Sequence, residues 1–245
     1  MTIEIITMWY NEEFLAPLFL RHYSYADKIT LFYDRDTSDN TLEIARQYPN
    51  VVVKPFRFPD MFDDSIKQIY LNSAYAESSC DWALLVDADE FAFVMRDGEP
   101  HADIRETLSQ CRADVVNLCF LDVHRHATDS DIDPDLPPVP QRRHGKIGIG
   151  KPCAAKTGLD IKWGPGSHRL LKPLPEGLRL LTGILHCAHW SMADPCFSFK
   201  RRLQDRKPRE SQNNLKLGFD IHNHSITLQK LKEMAKDSLD DPIVI

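Results

Sequence analysis

Residues 84 to 91 read LLVDADEF, an apolar run that closes on Asp87, Asp89 and Glu90, three acids within four positions. Carboxylates crowded at the mouth of a buried segment repel one another and resist losing water, so a positive partner is expected beside them. Two residues apart in extended backbone, Asp87 and Asp89 leave the chain on the same side. Such a pair suits a hard divalent cation, Mg²⁺ or Mn²⁺, which takes oxygen ligands and keeps positions open for phosphates. The blander reading is a helix cap or a surface ion pair, and the D-x-D spacing alone does not separate the two.

Working backward from this stretch, the chain alternates two periods. IEIITMW (3 to 9), KITLFYD (28 to 34) and VVVKPF (51 to 56) read as strands. Between them, FLAPLFLRHYSYA and TLEIARQY carry helical spacing, and SIKQIYLNSAYAESS (65 to 79) places Ile66, Ile69, Tyr70 and Ala74 on one face. Strand and helix alternating at short intervals predict βαβ units, hence an α/β fold with a mostly parallel, Rossmann-like open sheet and flanking helices. In such sheets ligands bind beyond the carboxyl ends of the strands. Asn11 and Glu12, Asp34, and Asp87 with Asp89 all fall at strand ends, so one cleft could collect them. Each also has a structural alternative: Asp34 to Thr41 can simply turn the chain and cap the next helix, and Glu12 can favour a helix N-terminus.

Working forward, VVNLCFLDV (115 to 123), KPCAAKTG (151 to 158) and LLTGILHCAHW (180 to 190) alternate like strands. Residues 124 to 150, with four prolines and a basic run, show neither period and are expected to form a long loop. Residues 194 to 210 and 225 to 239 read as helices, the second with Ser225 as N-cap. Packing on the body is the first expectation for that last helix.

The bulk numbers narrow the function. A chain of 245 residues with 42% hydrophobic and 27% charged residues is that of an ordinary globular protein. Its formal charge of −6 provides no global field for a nucleic acid. An anionic small substrate would need a local cation, either a metal or placed Lys and Arg side chains. The six cysteines contain no C-x-x-C pair and read as reduced thiols. No signal peptide and no membrane-spanning run is read, so cytoplasm is the expected compartment, with peripheral membrane contact as the lesser alternative. Absence of G-x-x-x-x-G-K-S/T and of G-x-G-x-x-G argues against a P-loop and against dinucleotide redox chemistry. A zinc site using His124-x-His126 or His186-x-x-His189 lacks H-E-x-x-H and paired cysteines.

Taken together, WYNEEFLAPLFLRHY, LFYDRDTSDNT and DWALLVDADEF resemble the GT-A glycosyltransferases, in particular the family-2-like group with an N-E motif, a D-x-x-S/T-x-D-x-T turn and a D-x-D-E-F strand end. The likeness extends more loosely through GPGSH (164 to 168) and LHCAHWS to about residue 205. It implies a single GT-A-like domain over residues 1 to 210, with a nucleotide-binding half to about 95 and an acceptor and metal-completing half beyond it, followed by a helical extension over 211 to 245. It also implies transfer of a sugar, a UDP-sugar being favoured, from a nucleotide diphosphate to a hydroxyl acceptor such as a glycan. Inversion at the anomeric carbon and a part in polysaccharide biosynthesis would follow by analogy.

By the same resemblance, Asn11 and Glu12 open the nucleotide cleft, Asp34 contacts base or ribose, and Asp39 closes that turn. Asp87 reaches ribose or donor sugar, Asp89 ligates Mn²⁺ or Mg²⁺, and Lys151, Lys200 or Arg201 helps to neutralise the diphosphate. A later histidine completes the metal site, His186 ranking ahead of His168, with His189 behind them as support. The family's E-D motif has no clear match here; Asp122, at a strand end, is the first candidate for the base, Asp160 is the alternative, and His124 or His126 could replace it. Trp163 and Trp190 are expected either to pack or to face a sugar. Two other functions remain: a catalytically silent binder with the same cleft, and a phosphoesterase or nucleotidyltransferase, the latter disfavoured by the acidic loop after the first strand.

Overall fold

The computed structural model describes residues 1 to 218 and 226 to 245. In chain order the first half runs β1 (Ile3–Trp9), α1 (Ala16–His22), β2 (Lys28–Asp34), α2 (Thr41–Ala45), β3 (Val51–Phe56), α3 (Asp64–Ala76) and β4 (Trp82–Leu85). The second half runs β5 (Glu90–Arg96), β6 (Glu99–His101), α4 (Arg105–Gln110), β7 (Val115–His124), β8 (His144–Ile147), β9 (Lys151–Lys156) and β10 (Leu180–Met192). Helices α5 (Pro195–Lys200), α6 (Gln212–Leu217) and α7 (Leu228–Asp237) close the described chain, with a π-helical turn at Arg201–Arg206 and a 3-10 turn at Lys207–Arg209 after α5.

The fold is α/β, one mixed sheet with helices against it. Strands run β3-β2-β1-β4-β9-β7-β10-β5-β6, and β8 pairs on β7. The β3-β2-β1-β4 half is parallel. Beyond it β9 runs antiparallel to both β4 and β7, while β10 is parallel to β7. Because β2 and β4 flank β1 on opposite sides, strand order reverses at β1, and a crevice opens beyond its carboxyl end.

Residues from both halves share one apolar core: Ile3, Ile5 and Leu31 from the parallel strands meet Leu118, Phe120 and Cys187 beneath α1. Trp163 and Trp190 lie in the interior, the former 0% exposed with its ring edge-on to Tyr75, so packing accounts for both indoles. All six cysteines are free thiols; Cys153 and Cys187 are buried, whereas Cys196 is exposed. Helix α7 docks through Leu231 against Met192 and Ile226, and Thr227 caps it by accepting the backbone N–H of Lys230. The expected cap, Ser225, lies outside the described residues.

Three local expectations are corrected. Residues 90 to 96 form a strand that pairs antiparallel with β10, so Asp87 and Asp89 sit in a short turn between β4 and β5 rather than in extended backbone. Within the Pro-rich stretch, residues 144 to 147 form β8, which Gly145 allows: a Cβ there would stand 2.0 Å from the carbonyl oxygen of Asp122. Helix α3 is rotated from the expected face: Ala74 is buried and Ile66 and Tyr70 pack partly buried against the core, but Ile69 does not. Asp64, Lys67, Gln68 and Leu71 are buried and Ile69 is 66% exposed, because this helix borders the crevice and its polar residues find charged partners there.

One core residue carries a pH signature. His22 on α1 is fully buried with Nε2 2.6 Å from the carbonyl of Ala92, and burial pushes its pKa down to about 4. Unfolded, the imidazole takes its proton near pH 6.5. Folding stability is therefore present above pH 6.5 and is lost as pH falls toward 4, by on the order of 3 kcal/mol from this group. Urea melts of wild type and His22→Gln, which keeps a donor for Ala92 but cannot titrate, should diverge in slope across that window.

Candidate functional site

A cleft of about 520 Å³ opens beyond the carboxyl ends of β1, β2 and β4 and reaches the end of β7. Its lining includes Glu12, Asp34, Asp87, Asp89, Asp122, Lys151 and His168 from the residues singled out by sequence, together with His189. Asn11, Asp39, Asp160 and His186 are not part of that lining.

Each of those four has a structural explanation. Asn11 adopts a left-handed backbone (φ 51°), accepts the Ser38 backbone N–H at 2.9 Å and donates to Asp205 at 3.1 Å, so it pins the turn after β2. Asp39 accepts from the backbone N–H groups of Glu13 and Thr41 at 3.1 and 3.0 Å, the capping role open to an Asp in such a turn. Asp160 is exposed in the turn after β9. His186 stacks on Phe93 of the neighbouring strand, which leaves His168 and His189 as the imidazoles facing the cleft.

At the deepest point Arg201, from the π-helical turn, bridges two acids. Its guanidinium pairs with Asp89 and donates to Glu12 at 2.6 and 3.0 Å. All three are buried. Burial would raise the Asp89 carboxyl, but Arg201 and then His189 outweigh it and hold Asp89 well below the usual range. Glu12 goes the other way: burial lifts it to about 7 against the opposing pull of Arg201, and its Oε2 has no hydrogen-bond partner among the described residues.

Beside this triad, Lys67 of α3 reaches Asp87 at 2.5 Å, and Lys151 pairs with Glu90. The second oxygen of Glu90 accepts the Asp87 backbone N–H at 3.0 Å, so Glu90 holds the acidic turn in shape. Lys67 and Lys151 together overcome the burial that would raise Asp87 and keep it ionised.

On the β7 side, His189 donates from Nδ1 to Asp122 Oδ1 at 2.6 Å, and its Nε2 lies 3.6 Å from Asp89 Oδ2. Burial would lower this imidazole, yet its bonds to Asp122 and Asp89 raise it to about 9. His168 has the opposite character, pushed down to about 4 by burial and by Lys151, so it is neutral. Its ring folds over Gly166, where a Cβ would meet it at 2.6 Å on a left-handed backbone.

Among the described residues no group of three or more His, Cys, Asp or Glu is drawn together as a metal centre. The donor set fits a hard cation once His189 gives up the proton it shares between Asp89 and Asp122 and Asp89 turns an oxygen from Arg201. Carboxylate and imidazole from Asp89 and His189 face each other, and Asp122 orients the ring from behind, as carboxylates do for metal-ligating histidines. Charge agrees: nine carboxylates line the cleft against five Lys or Arg side chains. A diphosphate entering that surplus needs more positive charge than the chain supplies.

Lys67, Tyr10 and Arg209 escape a sequence reading. Lys67 sits one turn into an amphipathic helix, and Arg209 lies 175 residues from its partner Asp34, so no local spacing marks either.

No protein-family profile and no curated sequence matches the chain significantly. Solved structures show partial likeness in chain path. S. aureus TarS, as its 1–349 fragment, superposes with a TM-score of 0.45 at 14% identity, over 98% of this chain and 80% of that one. Its complex with UDP gives 0.43 at 14%, and there the matched region spans 61% of the longer chain. Glucosyl-3-phosphoglycerate synthase from Mycobacterium tuberculosis, crystallised with Mn²⁺, UDP-glucose and glycerol 3-phosphate, gives 0.34 at 19%, over 49% of this chain and 44% of that one.

Proposed function

We propose that the protein is a metal-dependent glycosyltransferase that moves a sugar from a nucleotide diphosphate, a UDP-sugar foremost, to a hydroxyl acceptor with inversion. The observation that carries this reading is the convergence of Asp34, Asp87, Asp89 and Asp122 from three strand ends, those of β2, β4 and β7, on one cleft with surplus negative charge. An acid-rich crevice suits a cation-chelated diphosphate better than a bare anion.

In this reading Asp34 holds the nucleoside and Asp87, kept ionised by Lys67, takes the ribose or donor-sugar hydroxyls. A divalent cation held by Asp89 with His189, or with His168 as rival, supplies Lewis-acid neutralisation of the departing diphosphate. Lys151 adds charge from the floor. Asp122 stands at the acceptor side, where a carboxylate within about 3 Å of the attacking hydroxyl removes its proton. His189 fixes that carboxylate in place. The domain division expected from sequence, with acceptor residues beyond about 95, belongs to this proposal, as does polysaccharide synthesis. Among the described residues no helix is long and apolar enough to cross a membrane.

UDP with Mn²⁺ is expected to raise the melting temperature, and Asp89→Ala to abolish that gain. No shift with any common nucleoside diphosphate and metal would sink the reading. Binding without donor hydrolysis or transfer across a broad acceptor panel would favour a silent binder.

A further inference from the structure

The nucleoside end of the cleft is already filled by a side chain of this protein. Arg209 lays its guanidinium over the ring of Tyr10, 3.6 Å from the centroid, and donates from Nη2 to Asp34 Oδ2 at 2.5 Å. Asp34 has one oxygen to offer, since Oδ1 is committed to the backbone N–H of Asp36 at 3.0 Å. A flat, cationic group stacked on an aromatic face, with one N–H aimed at a buried carboxylate, presents the same contacts as a nucleobase that carries an N–H on its edge.

We propose that Arg209 is a built-in stand-in for the nucleobase, occupying the Tyr10–Asp34 subsite until the donor displaces it. The inference rests on the nucleotide-sugar reading and adds a residue and an order of events to it. An incoming base competes with Arg209 for Asp34 Oδ2, since Oδ1 is turned to the Asp36 backbone N–H. It cannot share the Tyr10 face, because the guanidinium lies against it at stacking distance.

The segment carrying Arg209 is built to shift. It is a 3-10 turn, Lys207–Arg209, joined to a π-helical turn, and it is tied to the loop before α3 by two backbone bonds, Phe62 N–H to Arg209 at 2.7 Å and Ser211 N–H to Phe62 at 3.1 Å. Irregular helical turns of this kind are common where a segment must change register at a functional site. Displacement lowers the apparent affinity for the base by the fraction of molecules in which Arg209 is withdrawn.

Uridine isolates this end of the cleft, since it has no phosphate for an arginine to attract. Titration calorimetry with EDTA present should show uridine binding roughly 3- to 10-fold tighter to Arg209→Ala than to wild type, with Arg209→Gln between them. N3-methyluridine, which lacks the ring N–H, should lose the gain. In wild type, UDP should speed amide exchange at Phe62 and Ser211. Uridine affinity that is unchanged or weaker in both variants, or slower exchange at those amides, overturns the stand-in role. Failure of the nucleotide reading looks different: wild type and both variants would then bind neither uridine nor UDP, with or without Mn²⁺.

Discussion

Arg201→Ala should lower the melting temperature by about 10 °C, the largest stability loss expected from any one substitution in the cleft. Arg201 is the buried cation between Glu12 and Asp89. Removing one partner from a buried ionic group leaves uncompensated charge and costs about 3–5 kcal/mol. In a domain of this size each kcal/mol is worth about 2–4 °C. Glu12→Gln alone should cost far less, because burial already lifts that carboxyl to about 7 and a neutral side chain there is close to its resting state. Arg201→Met combined with Glu12→Gln and Asp89→Asn should recover most of the loss, since the charges then leave together. Thermal melts of the four proteins decide it. A melting temperature within 2 °C of wild type for Arg201→Ala would mean the bridge contributes no net stability (an order-of-magnitude threshold from the same conversion).

The parallel half of the fold was legible because its strands are short apolar runs punctuated by polar turns, and β1, β2 and β3 begin and end where the residue pattern says. The acids at strand ends were legible for the same reason, but the residue pattern did not separate Asp34, which lines the cleft, from Asp39, which caps the next helix. Strand β5 was read over because EFAFVMR follows D-A-D without any turn-forming Gly or Pro to mark a reversal. Strand β8 is short and edge-lying, and its surroundings are Pro-rich, so pairing with β7 alone defines it. Side chains that neutralise the cleft were least legible. Arg201 is one of three cations the sequence offers for the diphosphate, with Lys151 and Lys200, but its pairing with Asp89 across 112 residues and with Glu12 across 189 has no local signal. His186 and His189 share one strand, and only the bulged register of β10 against β7 and β5 decides which imidazole reaches Asp122.

Asp122→Asn should lower kcat for donor hydrolysis or transfer by about 10²- to 10³-fold while leaving the KM for a UDP-sugar near its wild-type value. Asp122 is a carboxylate on the acceptor side and touches neither Asp34 nor Asp87, so donor binding should survive. Two groups in this corner could take the acceptor's proton, and their pH dependences differ. Burial would raise Asp122, but the bond from His189 overrides it and holds the carboxyl below its usual range. A rate governed by Asp122 therefore stays on its plateau as pH falls through 6 and 5 (a window set by the ordinary carboxylate value). With no cation on it His189 is held protonated up to about 9, so if His168 held the cation with Asp89 and His189 were the base, the rate would climb steadily between pH 7 and 9. The acidic limb of kcat thus names the base. His189→Gln keeps a donor toward Asp122 but removes a proposed cation ligand, so it should raise the Mn²⁺ concentration needed for activity and, at saturating Mn²⁺, retain more activity than Asp122→Asn. An Asp122→Asn enzyme with wild-type kcat, or a wild-type profile rising through pH 8, would move the base away from Asp122.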